Sequence, residues 1–337
     1  MGCTIVAGGQ WGDEGKGKFA SYLALVDRPA YACRVGLGPG AGHTVVHRGA
    51  VHKLRQVPSA WVNPDTRLRL GAGVLVDPPV LLEEIDRLGV ADRIGIDPRA
   101  SVIEPHHVAD DRSDPHLVAR VQTTGSGHGP CLAARALRTA RLAGEVPELA
   151  PYLVDVSAEL NAALDRGQDV HVEATNGFLL SVLYGTYPFT VSKDSTASTA
   201  AADAGIGPTR VDEVVLVFKT FPTRVGGGEF PTELDEAHAT RLGFVEHGTV
   251  TGRRRRVGRF DFELARRAAL VNGATQLAVS FLDRLDPSAA TRARAEDLNP
   301  AATEFLDRLE RELRAPVTLL GTGPESLSTL DRRAARP

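Results

Sequence analysis

A chain of 337 residues with 42% hydrophobic and 24% charged content can bury a large core in one sizeable domain or two smaller ones. The 39 Lys and Arg set against 42 Asp and Glu leave a formal net charge of -3, which gives no general drive toward nucleic acid or an anionic membrane. Cys3, Cys33 and Cys131 lack CxxC spacing and no apolar run reaches the length of a membrane span; the expectation is a soluble, cytoplasmic protein with Cys3 and Cys33 as buried reduced thiols.

The chain opens on Thr4-Ile5-Val6-Ala7, a β-branched apolar run that predicts a buried strand. Gly8-Gly9-Gln10-Trp11-Gly12-Asp13-Glu14-Gly15-Lys16-Gly17-Lys18 follows and leads into a helical pattern through Phe19, Ala20 and Leu23 to Leu25. Strand, glycine loop, helix is an arrangement that turns backbone N–H groups and a helix N-terminus toward phosphate oxygens. It is not the standard P-loop. Gln10 stands where that pattern needs glycine, and Gly17 where it needs Ser or Thr. The acidic pair Asp13-Glu14 is extra, and a carboxylate at a phosphate site can hold Mg²⁺ or take a proton.

Short apolar runs recur at 68–70, 73–76, 170–172, 214–218, 277–281 and 317–320. Helical patterns lie between several of them, one through Leu81, Ile85 and Leu88 closed by Gly89, another through Leu160 and Leu164 closed by Gly167. The alternation predicts an α/β fold with a mostly parallel central sheet, helices on both faces and a P-loop-like glycine loop after the first strand. With no internal repeat or linker, residues 1–330 read as one domain and 331–337 as an Arg/Ala-rich tail. Five further glycine-rich or polar loops begin near 36, 123, 173, 223 and 321. Each alone is an ordinary turn; together, at strand ends of one parallel sheet, they predict a large polar site.

Within these loops Asp13 is a candidate general base, Mg²⁺ ligand or solvated carboxylate, and His43 a ligand-facing or structural imidazole. The remaining histidines lack metal-ligand spacing, so zinc is not expected. Arg253 to Arg256 form the densest charge in the chain. Such a run is usually a solvated face or a nucleic-acid patch; flanked by Thr251, Gly252 and Gly258 in an acidic chain, guanidinium forks gripping a small dicarboxylate are at least as good a reading.

In order along the chain, Gln-Trp-Gly-Asp-Glu-Gly-Lys-Gly-Lys (10–18), Ala-Gly-His-Thr (41–44), Thr-Thr-Gly (123–125), Gly-Thr-Tyr-Pro (185–188), Thr-Arg-Val-Gly (223–226), Phe-Pro-Thr-Glu-Leu (230–234) and Thr-Gly-Arg-Arg-Arg-Arg (251–256) resemble adenylosuccinate synthetase. The resemblance runs from residue 4 to about 325, in a chain as compact as the archaeal and phage branches. It implies a Mg²⁺-dependent ligase that joins L-aspartate to IMP with GTP through a 6-phosphoryl intermediate. In that scheme Asp13 takes the N1 proton and binds Mg²⁺ together with the Gly42 carbonyl, and His43 stabilises charge on the phosphates. Gly12, Glu14, Gly15, Lys16 and Gly17 hold the triphosphate. Thr124, Arg138, Asn176 and Val225 bind the acceptor nucleotide, with Arg138 lent by the second subunit of a homodimer. Thr251, Arg253 and Arg255 bind aspartate, and Asp283 and Gly323 bind guanine.

Departures from the family pattern cluster on the nucleotide side. Gly40 replaces an asparagine, Asn176 a glutamine, Val191 a threonine, Ser126 an arginine or lysine, and Phe281 a lysine. They leave open a modified purine nucleotide as acceptor and ATP as donor. The phage reaction that makes 2-aminoadenylosuccinate from dGMP is disfavoured, because that branch replaces the loop aspartate and Asp13 is present. A GTP-binding regulator without ligase chemistry is the alternative of another class; it needs none of Asp13, His43 or the aspartate loop.

Overall fold

The computed structural model describes residues 2–244, 246, 255–291 and 294–333. Among these, nine strands form one sheet in the spatial order 329–331, 317–321, 276–280, 211–219, 3–8, 170–173, 31–34, 67–70 and 94–96. Every neighbouring pair is parallel except the edge strand Thr329–Asp331, which runs antiparallel to Val317–Gly321. The expected α/β architecture is therefore observed.

The first strand, Cys3–Gly8 (β1), lies at the centre, paired with Val211–Lys219 on one side and Val170–Glu173 on the other. Its alternate residues serve two cores. Ile5 and Ala7 pack with Leu160, Ala163, Val172, Leu216, Leu277 and Leu306. Val6 faces the other way, onto Phe19, Tyr22 and Leu23 of the first helix, Lys16–Val26 (α1), with Val215, Val217 and Leu319. Burial on both faces is why these strands read as unbroken apolar runs rather than alternating ones. Helices cover both sides for the same reason.

Local signals set the helix ends. Asp77 accepts from the Val80 amide at 3.4 Å to start Pro78–Leu88, which stops at Gly89 with φ 62°. Asp155 accepts from Ala158 N at 3.0 Å and opens Val156–Asp165. Two expectations need correction. Of the run 73–76 only Leu75–Val76 is a strand, and it pairs with Ser101–Val102 outside the main sheet. Gly73 and Val74 are taken up by a turn, Val74 N donating to Gly71 O at 3.1 Å. The tail expected from 331 begins later: Asp331 belongs to the edge strand, Arg332 N donates to Thr318 O at 2.7 Å, and Arg333 pairs with Asp27 at 2.8 Å.

Candidate active site

Of five adjacent parallel strands, four end on polar residues at their carboxyl side: Arg34, Glu173, Lys219 and Ser280. β1 ends among them on Gly8. This crevice is where an open parallel sheet binds ligands, and the glycine loop crosses it. Gly12, Asp13 and Gly15 adopt φ of 85°, 61° and 90°; two of the three are glycine, for which that region is free of strain. Glu14 fixes the turn from below, fully buried. Its Oε1 accepts from the Gln10 and Gly12 amides at 3.0 and 2.9 Å, and its Oε2 pairs with Lys16 at 2.6 Å. Gly15, at the helix N-cap, has no side chain to satisfy the first-turn amides of α1, which leaves them for an anion. Gly17 explains the break from the P-loop pattern. A Cβ there meets His43 Cβ at 2.9 Å and both Ser59 Oγ and Thr44 O at 3.2 Å, so Ser or Thr cannot fit.

A cavity of about 680 Å³ lies above this loop, and all five of the other glycine or polar loops contribute to its wall. Gly12, Asp13, Gly15, Lys16, Gly17, Gly42, His43, Thr124, Asn176, Val225, Arg255, Asp283 and Gly323 line it, so most of the predicted site residues are brought together. Glu14 is not among them: its carboxylate is consumed in shaping the loop, which corrects the expectation that it faces the triphosphate. Arg138 does not reach the cavity within this chain either; it is exposed at the end of helix His128–Leu137 with φ 65°. Thr251 and Arg253 lie outside the described residues.

Two charged networks face the cavity. In the first, Asp13 pairs with Arg255 at 3.0 Å, Arg255 with Glu246 at 2.9 Å, and Glu246 with Lys219 at 2.9 Å. Burial raises the Asp13 carboxyl above its ordinary range, against the pull of Arg255 and Lys219. In the second, His43 Nδ1 meets Glu173 Oε1, and Glu173 also accepts from Ser59 N and Ser59 Oγ, each at 2.6 Å, with Arg34 at 3.8 Å. Burial opposes the charge on Glu173, yet His43 and Arg34 hold it down at about 2. Burial and Arg34 push His43 down to about 4 despite Glu173. At neutral pH the ring is therefore uncharged, its proton sits on Nδ1 toward the carboxylate, and Nε2 is an acceptor.

Sequence reasoning missed Arg34, Lys219 and Glu246 and gave Glu173 no role. A signal existed for three of them: a charged residue closing a buried parallel strand points at the crevice. Glu246 had none, since it closes no described strand.

A glycine loop on a helix N-terminus, a half-buried carboxylate and a carboxylate-backed histidine in one nucleotide-sized cavity define an α/β enzyme of phosphoryl chemistry. Residues 5–146 and 140–293 match the adenylosuccinate synthetase family. Adenylosuccinate synthetases of Pyrococcus sp. and Archaeoglobus fulgidus are 54% and 50% identical, each over 99% of both chains, and that of Methanocaldococcus jannaschii is 52% identical over 98% of this chain and 97% of its own. This chain belongs to the adenylosuccinate synthetase family and is a C–N bond-forming ligase. Its fold is that of fully ligated adenylosuccinate synthetase from Plasmodium falciparum, with a TM-score of 0.92 at 23% identity over 98% of this chain and 99% of that one. It is also similar to the succinoaminodeoxyadenylate synthetase of cyanophage S-2L, a structure bound to dGMP and to dATP as energy donor, with a TM-score of 0.83 at 27% identity over 98% and 95%. No described helix is long and apolar enough to cross a membrane.

Proposed function

We propose that this chain, as one folded unit over 1–330, condenses L-aspartate with IMP at the expense of GTP, giving adenylosuccinate, GDP and phosphate. The observation that carries the reading is the convergence of Asp13, Lys16, His43, Arg255 and Asp283 from four separate segments on one cavity. A regulator has no use for a half-buried carboxylate raised toward basicity beside a carboxylate-backed histidine.

Asp13 takes the N1 proton of the 6-oxopurine, a task suited to a carboxylate whose burial raises its proton affinity. The O6 oxyanion then attacks the γ-phosphorus, and the bond to the β–γ bridging oxygen breaks to release GDP. The α1 amides and Lys16 hold the transferring group. An incoming triphosphate brings negative charge that raises the basicity of His43, so that Nε2 gains a proton and donates to phosphate while Nδ1 stays on Glu173. The amine of aspartate then attacks C6 and phosphate leaves, a far better leaving group than the original oxygen. Arg255, with Thr251 and Arg253, grips the aspartate carboxylates; Thr124, Asn176 and Val225 face the acceptor, and Asp283 and Gly323 the guanine.

The donor set fits Mg²⁺. Asp13 offers a carboxylate and Gly42 a carbonyl that accepts no hydrogen bond among the described residues, both lining the cavity, and hard oxygen donors suit that ion. Bound there, it would neutralise triphosphate charge. The working form is a homodimer in which the exposed Arg138 serves the partner's acceptor site.

The test is mass spectrometry of products from purified protein with Mg²⁺, L-aspartate and GTP or ATP, against IMP, dGMP, inosine and IMP analogues. Adenylosuccinate with stoichiometric GDP is the expected result. Product from another acceptor alone would reassign the pocket, and GTP binding with no turnover across the panel would restore the regulator.

A further inference from the structure

Lys219 is 0% exposed, a cation taken wholly out of water at the end of a central strand. Its Nζ donates to Thr223 Oγ1 at 2.8 Å and to Glu246 Oε2 at 2.9 Å. It lies over the rings of Phe221 and Phe281, 4.8 and 5.0 Å from their centroids. The same Oε2 accepts from Arg255 Nη1 at 2.9 Å. Both cations thus sit on one oxygen of Glu246. The other, Oε1, is buried and has no hydrogen-bond partner among the described residues, although Glu246 lines the cavity. Leaving a carboxylate oxygen buried without a donor is costly. The Lys219 and Arg255 bonds at Oε2 fix the direction of the carboxylate, so what Oε1 lacks is a donor, and a positive one suits it best.

The geometry points to Glu246 as the residue that receives the α-ammonium group of the amino-acid substrate. The inference rests on the aspartate-ligase reading above. A free amino acid enters with its nitrogen protonated, so a site that grips only carboxylates through arginine cannot tell aspartate from a plain dicarboxylate. Glu246 supplies that distinction. Arg255 bridges it to Asp13, so the nitrogen held at Oε1 stands beside the residue assigned to proton removal. Lys219 acts through Glu246 and is a positioning residue; it touches no substrate.

The experiment compares aspartate with succinate, which keeps both carboxylates and lacks the ammonium. Binding of each to the protein loaded with IMP and a non-hydrolysable GTP analogue is measured by calorimetry, alongside KM for aspartate and the inhibition constant of succinate. In Glu246→Gln, aspartate affinity should fall by about 10-fold or more, the scale of a lost charged hydrogen bond, while succinate affinity changes by less than about threefold. Glu246→Asp should recover part of the loss. It also stands in if the Gln variant fails to fold, since withdrawal of the charge by one methylene should weaken aspartate selectively. A parallel loss for both ligands would make Glu246 only a support for Arg255 and overturn the proposal, as would no loss for either. A wild-type protein that binds aspartate selectively yet forms no product would count against the proposed reaction and leave the ammonium site standing.

Discussion

Replacing Glu173 with glutamine tests the histidine half of the site. The carboxylate is buried and accepts from His43 Nδ1, Ser59 N and Ser59 Oγ, with the Arg34 guanidinium 3.8 Å away. Glutamine keeps the shape and one acceptor oxygen, enough for Ser59, but places an N–H donor or an uncharged oxygen against His43. Arg34 retains its bonds to Val57 O at 3.1 Å and Ala41 O at 2.6 Å while losing the nearer of its two countercharges, Glu84 remaining farther off. Removing one partner of a buried pair costs about 3–5 kcal/mol, and the two retained Arg34 bonds argue for the lower end. Catalysis should suffer separately. Without Glu173 no anion supports the imidazolium formed against phosphate, and loss of one such preorganised donor lowers kcat by about 10²–10³. Guanidinium denaturation gives the first quantity and single-turnover phosphoryl transfer the second. A Glu173→Gln protein with wild-type kcat and stability within about 1 kcal/mol of the parent would refute the role given to this carboxylate.

Three other outcomes are expected. His43, His128 and His171 are each pushed down to about 4 by burial, so the unfolded chain binds their protons first as pH falls below 6.5. Their contribution to stability is whole above 6.5 and is lost toward 4, on the order of 2 kcal/mol each between pH 7 and 5; denaturant midpoints across that range should show it, with a shallower slope in His171→Gln. Asp13→Asn should retain GTP binding by fluorescence titration and lose product formation by at least about 10², and turnover near wild type would remove Asp13 as the base. Sedimentation should give a dimer, and Arg138→Ala should raise KM for the acceptor without moving the melting temperature; a monomer at full activity would contradict the shared-site arrangement.

How much of this was legible follows from what each feature depends on. The sheet was readable because its strands are buried on both faces, and β1 with its glycine loop carries a local pattern that needs no distant contact to interpret. The convergence of loops was readable once the sheet was parallel, since topology alone gathers strand ends. Glu14 was misread because sequence shows two adjacent carboxylates and not which way each turns: the left-handed φ of Asp13 sends its side chain toward Arg255 while Glu14 folds beneath the loop. Lys219 and Glu246 meet across 27 positions of chain, and no local pattern encodes that pairing. The tail was misread from composition, because Arg333 docks on Asp27, 306 positions away.

The nucleotide-side departures are better understood from their neighbours than from the residues themselves. Gly40 lacks the family's amide, but a Cβ at 40 would meet the His128 ring, with Nδ1 at 2.9 Å and Nε2 at 3.2 Å, and the Gly40 amide donates to His128 Nε2 at 3.2 Å. That bond ties the Gly40 amide to a histidine that itself lines the cavity. Val191 packs against the cluster of Leu37, Leu75, Ile103 and Cys131 and also lines the cavity, and Thr190 and Ser192 on either side line it with hydroxyls. Asn176 adopts φ 61°, a region asparagine enters more readily than glutamine. Phe281 lies 5.0 Å from the buried Lys219 ammonium, where a second lysine would set like charges together in a low dielectric. Gly40, Val191 and Phe281 each have neighbours that supply a polar group or remove a conflict, and Asn176 suits its backbone; nothing in the structure explains Ser126. A pocket altered in this way keeps its chemistry while changing its parts, which favours IMP over a foreign acceptor.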